Sequence, residues 1–260
     1  MGGSWGRLSI EEPNRCLERD WRFEAIPELE AGDSVLPYGR GRSYGDSCIN
    51  SSGSHLSTRR LNRFIHFDQD LGYLECEAGV TVEEILDVIV PKGWFLPVLP
   101  GTRFVTLGGA IANDVHGKNH HSAGSFGCHI RSLEVLRSDG SRTLCTGEKN
   151  SELFASTIGG LGLTGLITKA AIRLKAITSD TLSTQNLAFT SIEHFLELSS
   201  ESMQWDYNVA WIDTTASGVK AGRGILSRAK HMTDKTPLLA QANKRSLSVP
   251  VTPPFSTINN

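Results

Sequence analysis

Residues 73–78 alternate, with Leu74 and Cys76 on one side and Tyr73 and Glu75 on the other, which predicts a β-strand. The next residues, Thr81-Val-Glu-Glu84, match a capping box, in which the threonine hydroxyl accepts from the Glu84 amide and the glutamate reaches back. Val82, Ile85, Leu86 and Ile89 then repeat at helical spacing until Pro91 and Gly93 end the run, so an amphipathic helix directly follows the strand. Residues 166–174 alternate strictly and predict a half-exposed antiparallel strand. Residues 131–137, the turn Ser138-Asp139-Gly140 and residues 142–145 predict a hairpin. Shorter signals predict strands at Val35-Leu36, 55–57 and 61–67, and a helix over 151–158 capped by Ser151.

Between 97 and 127 the periodicity disappears. This stretch holds glycines at 101, 108, 109, 117, 124 and 127 and histidines at 116, 120 and 121. A loop of that length inside a compact domain is uncommon unless it has a function. After about residue 179 the pattern thins to a helix at 192–198, strands at 209–212 and 222–227, and a polar stretch over 231–260. Three short elements do not make a stable domain. The expectation is therefore one large domain over 1–177 and, over 178–260, the start of a second domain whose remainder is missing.

Composition narrows the function. The chain has 260 residues, with 26 Lys and Arg against 28 Asp and Glu, and this net charge of −2 leaves no electrostatic footprint for nucleic acid. No apolar run reaches the length of a membrane-spanning helix, and residues 1–7 lack a basic and an apolar region in series, so neither a transmembrane helix nor a signal peptide is expected. The expected location is cytoplasmic, or peripheral at the cytoplasmic membrane. The 5 cysteines form no C-x-x-C pair and are expected to be reduced thiols without a disulfide framework or structural zinc.

Glycine is the outlier, at 26 of 260 residues, and its clusters carry the candidate chemistry. Gly39, Gly41 and Gly45 follow a strand with Arg40 and Arg42 between them. Successive amides in such a loop can converge on an anion, and a pyrophosphate suits several donors at once. The spacing G-x-G-x-x-x-G and the lack of a following helical period exclude the Rossmann fingerprint, and no Gly-Lys-Ser or Gly-Lys-Thr makes a P-loop. Alone, this loop fits a plain glycine-rich turn equally well. The second cluster, 101–113, is small at 108, 109, 110 and 112 and leaves room for something flat. The third spans 159–165. Three such loops suit one extended nucleotide cofactor. His116 and His120 have a metal-ligand spacing, but Gly117 interrupts a helix there and no zincin glutamate is present, so no metal is expected. Asp46 is expected to cap the first loop, Ser122 and Ser125 lack a nucleophile elbow, and Cys128 reads as an inert thiol.

The strings at 39–46 (Gly-Arg-Gly-Arg-Ser-Tyr-Gly-Asp), 99–103, 108–127 and 162–167, with Trp5-Gly6-Arg7, resemble the flavin domain of the vanillyl-alcohol-oxidase type of FAD oxidoreductase. More narrowly they resemble its members that act on polyprenyl-phosphate ribose. The resemblance implies an α+β fold, with a two-subdomain PCMH-type FAD-binding domain followed by the start of an α+β substrate or cap domain. It implies FAD bound by Pro37, Tyr38, Gly39, Arg40, Gly41, Arg42, Ser43, Tyr44 and Gly45, with its pyrophosphate on Gly39 to Tyr44. Gly101, Thr106, Leu107, Gly108 and Gly109 would line the flavin and its ribityl chain, Asn113, Asp114, Val115 and His116 would pass along the ring system, and Ile167 would hold the adenine end. Relatives with covalent flavin carry a histidine where this chain has Arg42-Ser43, so FAD is expected without a covalent link. The family oxidises the ribose C2 hydroxyl by hydride transfer to flavin N5, and a partner short-chain reductase completes the epimerisation at the membrane face. His116, Lys118 and Tyr44 are flavin- or substrate-proximal candidates. No catalytic residue is assigned, because the family's catalytic lysine belongs further along. A sugar-1,4-lactone or alditol oxidase, or a non-catalytic flavin-binding protein, are the alternatives.

Overall fold

The computed structural model describes residues 3–6, 13–27 and 32–233. Arg7 and the end of the polar stretch, 234–260, lie outside the described residues. Strands β1 (Arg15–Glu18), β2 (Val35–Tyr38) and β3 (Ser54–Ser57) form a parallel sheet with β3 in the middle. All of β3 is buried, and its partner β2 runs straight into the first glycine loop.

Strands β4 (Phe64–Asp68) and β5 (Tyr73–Glu77) pair antiparallel and lead into helix α1 (Val82–Ile89). The capping box forms as the sequence predicts: the Thr81 amide donates to Glu84 Oε2 at 2.7 Å, and the Glu84 amide donates to Thr81 Oγ1 at 3.2 Å. Val82, Ile85, Leu86 and Ile89 are buried, and Gly93 ends the run in the left-handed region at φ 83°. Then follow β6 (Trp94–Phe95), the short helices α2 (Leu107–Ala112) and α3 (His120–Ala123), the hairpin β7 (Ile130–Leu136) and β8 (Arg142–Thr146), helix α4 (Ser151–Thr157) and strand β9 (Leu166–Arg173). The larger sheet has the order β4-β5-β9-β7-β8, all antiparallel, and carries the main core with α1 and α2 on it. Strand β10 (Lys175–Ala176) returns to pair with β6. Strand β11 (Leu182–Phe189), helix α5 (Ile192–Glu201), β12 (Tyr207–Ile212) and β13 (Gly224–His231) make a separate antiparallel sheet, β11-β13-β12, with α5 against it. The chain is thus mixed helix and sheet, in the α+β manner expected.

Four local expectations change. Strand β9 is not half-exposed: all of it but Lys169 and Arg173 is buried. It lies between β5 and β7, where its polar side chains find protein partners instead of water. Thr168 donates to Glu134 at 2.6 Å, and Lys169 pairs with Glu75 at 2.7 Å. The cap of α4 is Asn150, at φ 53°, not Ser151. The stretch predicted to lack regular structure contains α2 and α3. Beyond residue 179, strand β11 adds an element that the pattern did not announce, because Phe189 is its single buried residue. All 5 cysteines are free thiols, and no helix among the described residues is long and apolar enough to cross a membrane.

At the end of β5, Glu77 is fully buried and is met by two arginines, Arg22 at 3.3 Å and Arg63 at 3.3 Å. The Arg63 amide also donates to its carboxylate at 3.0 Å. A buried carboxylate stripped of its cations is costly. Replacing Arg22 and Arg63 together by methionine is expected to lower stability by about 3–5 kcal/mol. Adding Glu77→Met to that pair should recover part of the loss. Urea unfolding measures both, and a double variant as stable as the wild type would contradict the role given to the triad.

Candidate cofactor site

The turn after β5 organises the site. The Ala78 amide donates to the Thr168 carbonyl of β9 at 3.1 Å, and the Gly79 amide to the Leu61 carbonyl at 2.8 Å. A Cβ at Gly79 would collide with the Thr58 carbonyl, so only glycine lets the turn approach the segment after β3. From the other side, the Leu107 amide donates to Val80 O at 2.7 Å and the Gly108 amide to Ala78 O at 2.8 Å. The α1 N-terminus grips the second glycine segment as well, because Val82 and Glu83 donate to the carbonyls of Val105 and Arg103. The third glycine segment docks on the far end of α2, with Gly159 and Leu161 donating to Ile111 and Ala112.

These segments enclose one cavity of about 900 Å³. It is lined by the whole of 37–45, by Gly101, Thr106, Gly108 and Gly109, by 113–116, and by Ile167. The predicted residues thus converge, with two exceptions. Leu107 does not line the cavity: its side chain is fully buried in the main core. Lys118 does not line it either; it is exposed, and its carbonyl accepts from the Asn208 amide at 2.7 Å. Tyr44 sits at the rim, 79% exposed, so it does not pack into the protein. His116 is exposed at the lip, edge-to-face with His120. His121 instead turns away to the Trp205 carbonyl. Sequence reasoning missed Trp5, Thr58, Ala78, Phe104 and Leu161 as lining residues. Only contacts distant in sequence bring Trp5, Thr58 and Ala78 to the cavity, whereas Phe104 and Leu161 lie within the second and third glycine clusters.

The donors are unequal. At the start of α2, all three leading amides already have protein acceptors: Val80 O, Ala78 O and, for Gly109, Thr106 Oγ1 at 3.2 Å. This helix end supplies shape and not hydrogen bonds. In the first loop, by contrast, the amides of Arg40, Gly41, Arg42, Tyr44 and Gly45 have no acceptor among the described residues. Neither Arg40 nor Arg42 has a carboxylate within ion-pairing distance among them. Arg42 Nε is shielded from water and has no hydrogen-bond partner there. Unpaired amides and cations facing a cavity are costly unless an anion or water meets them. A diphosphate supplies acceptors of the required sign, so the residues present fit FAD.

Tyr38, Cys48 and Asp114 beside the loop are engaged within the protein. Tyr38 is buried, stacks on His55 at 4.5 Å and donates to the Gly3 carbonyl at 2.7 Å, and burial pushes its phenol pKa up. The neighbouring Cys48 thiol is likewise pushed up by burial and stays protonated at neutral pH. Asp114, with φ 40°, accepts from the Gly127 amide at 2.8 Å and so fixes the bend beside the cavity.

The glycines divide by what a side chain would meet. At Gly108 a Cβ would come within 2.9 Å of Ala78 Cβ, whereas at Gly101 nothing lies within 4 Å. Gly108→Val is therefore expected to destabilise the protein itself. Gly101→Val should leave the unfolding midpoint unchanged and weaken FAD binding at least tenfold, read by flavin fluorescence titration. Unchanged FAD affinity in the Gly101 variant would contradict this assignment of the cavity.

Comparison with known proteins agrees with this geometry. Residues 29–146 match the family described as an FAD binding domain. The chain is 37% identical to the decaprenylphosphoryl-β-D-ribose oxidase of Mycolicibacterium smegmatis over 86% of its own length and 50% of the relative's. It is 37% identical to an uncharacterized protein of Streptomyces coelicolor, covering 58% of this chain and 41% of that one. It is 33% identical to a D-lactate dehydrogenase of Archaeoglobus fulgidus, covering 50% and 30%. The chain thus spans half or less of the length of these relatives. Together with the matched domain over residues 29–146, these likenesses support FAD as the cofactor of the site.

Proposed function

We propose that this chain is the cofactor-binding part of an FAD-dependent oxidoreductase acting on a CH–OH group, and that the group is the ribose C2 hydroxyl of a polyprenyl-phosphate sugar. The observation that carries the reading is the first glycine loop beside the cavity, where five amides have no acceptor and Arg40 and Arg42 no carboxylate partner among the described residues. The substrate rests on the 37% identity to an oxidase named for that sugar. Bound FAD supplies a two-electron acceptor for the hydride.

The protein's part is to hold and to shape. Arg40, Arg42 and the amides of Arg40, Gly41, Arg42, Tyr44 and Gly45 meet the diphosphate, and charge-assisted bonds of that kind contribute about 1.5–3 kcal/mol each. Gly101, Gly108 and Gly109 keep the wall flat, and Ala112 and Val115 give it an apolar surface that sheds water. His116 at the lip orients the sugar. Arg42-Ser43 stands where a covalent histidine would be, so FAD is held by these contacts alone. On this reading residues 1–177 form the cofactor domain, and the sheet β11-β13-β12 with α5 begins the substrate domain. The keto sugar then requires a separate reductase, and the lipid tail requires access to a membrane surface.

Two measurements test this. Acid precipitation should release the yellow chromophore into the supernatant, and a chromophore retained on the protein would contradict non-covalent binding. In the enzyme carrying this chain, polyprenyl-phosphoryl ribose should bleach the flavin band faster than soluble sugar lactones do. Faster bleaching by the lactones would overturn the substrate assignment.

A further inference from the structure

A short piece of chain near the amino end lies across the first glycine loop. Residues 3–6 are tied to it at three places. The Tyr38 hydroxyl donates to the Gly3 carbonyl at 2.7 Å, and the Gly6 amide donates to the Ser43 carbonyl at 3.3 Å. The Trp5 ring centroid lies 5.1 Å from the Arg42 guanidinium carbon, and on the loop between β6 and α2 the Phe104 ring lies 5.5 Å from it. Gly41 records the closeness of this crossing: its φ is +59°, and a Cβ there would collide with the Gly3 carbonyl and the Tyr38 hydroxyl. Ser4, 6% exposed, is buried beneath the crossing, and its hydroxyl has no partner among the described residues. Trp5 itself lines the cavity.

Aromatic rings engage the faces of a guanidinium and leave its N–H edge available. An unrestrained arginine loses rotamer freedom when a ligand fixes it. An arginine already in contact with two rings has lost part of that freedom before the ligand arrives. We propose that residues 3–6 are part of the cofactor site: Trp5, with Phe104, holds Arg42 in its diphosphate-binding position, and the segment keeps the loop amides turned to the cavity. Trp5 is then a positioning residue for the diphosphate, and its contribution extends to any ligand bearing a diphosphate. This inference rests on the FAD reading of the cavity and deepens it.

The variant to make is Trp5→Ala. Trp5 is 59% exposed, so the fold does not depend on it. Flavin titration of the purified full chain should show FAD bound about 2- to 30-fold more weakly, the range of a cation–π contact converted to affinity. ADP competition should weaken by the same factor, and riboflavin, which lacks the diphosphate, should be unaffected. Trp5→Phe should restore most of the loss, and thermal unfolding without cofactor should not change. Wild-type and Trp5→Ala protein binding FAD and ADP equally would overturn the role of the segment while leaving the FAD reading intact. Equal weakening for riboflavin would also overturn it, because the effect would not reside at the diphosphate. Wild-type protein that binds no FAD would overturn both readings.

Discussion

A single backbone turn, from Glu77 to Thr81, holds the glycine-rich segments in one place. Its amides and carbonyls are shared among β9, the segment after β3 and the start of α2, so three distant parts of the chain hydrogen-bond to five residues. Nothing bulkier than glycine fits at position 79. Glu77 anchors the turn from below through Arg22 and Arg63, and the capping box of α1 anchors it from above. The buried carboxylate, the glycine and the cap act at one point, and the position of every cavity wall follows from it.

That arrangement explains why the cavity has two kinds of wall. The segments that touch the turn have consumed their hydrogen-bonding groups in holding the fold, and they present small side chains to the cavity. The first loop leaves the sheet at Tyr38, whose carbonyl accepts from the Thr58 amide at 2.9 Å and from the Thr58 hydroxyl at 3.3 Å, and through Thr58 it reaches the segment packed against the turn. The amides of Arg40, Gly41, Arg42, Tyr44 and Gly45 have no acceptor, and Arg40 and Arg42 no carboxylate partner, among the described residues. One wall is therefore shape and the other is charge, as a cofactor with a flat apolar head and an anionic linker requires.

Much of this was legible in the residues, and the gaps have physical causes. Helix α1 announced itself because its cap and its apolar stripe agree, and the first loop because glycines and arginines alternate after a strand. Helix α2 was hidden: Gly108 and Gly109 lie in its first turn and weaken any intrinsic preference for helix. Its six residues stand because Thr106 caps Gly109 and because the Leu107 and Gly108 amides find the turn after β5. The alternation of β9 was read correctly as a strand and wrongly as half-exposed, since Lys169 and Thr168 are satisfied by Glu75 and Glu134 on the flanking strands. Leu107 was assigned to the cofactor because its neighbours belong there, but a helix turns 100° per residue and takes its side chain into the core. Strand β11 escaped because a mostly exposed strand leaves little apolar period to read.

Hydrogen–deuterium exchange on the wild-type protein tests the division of the two walls most directly. With FAD added, the amides of residues 40–45 should pass from fast to slow exchange, while those of Leu107, Gly108 and Gly109 should be slow with and without it. Protection that appears at 107–109 and not at 40–45 would contradict the account.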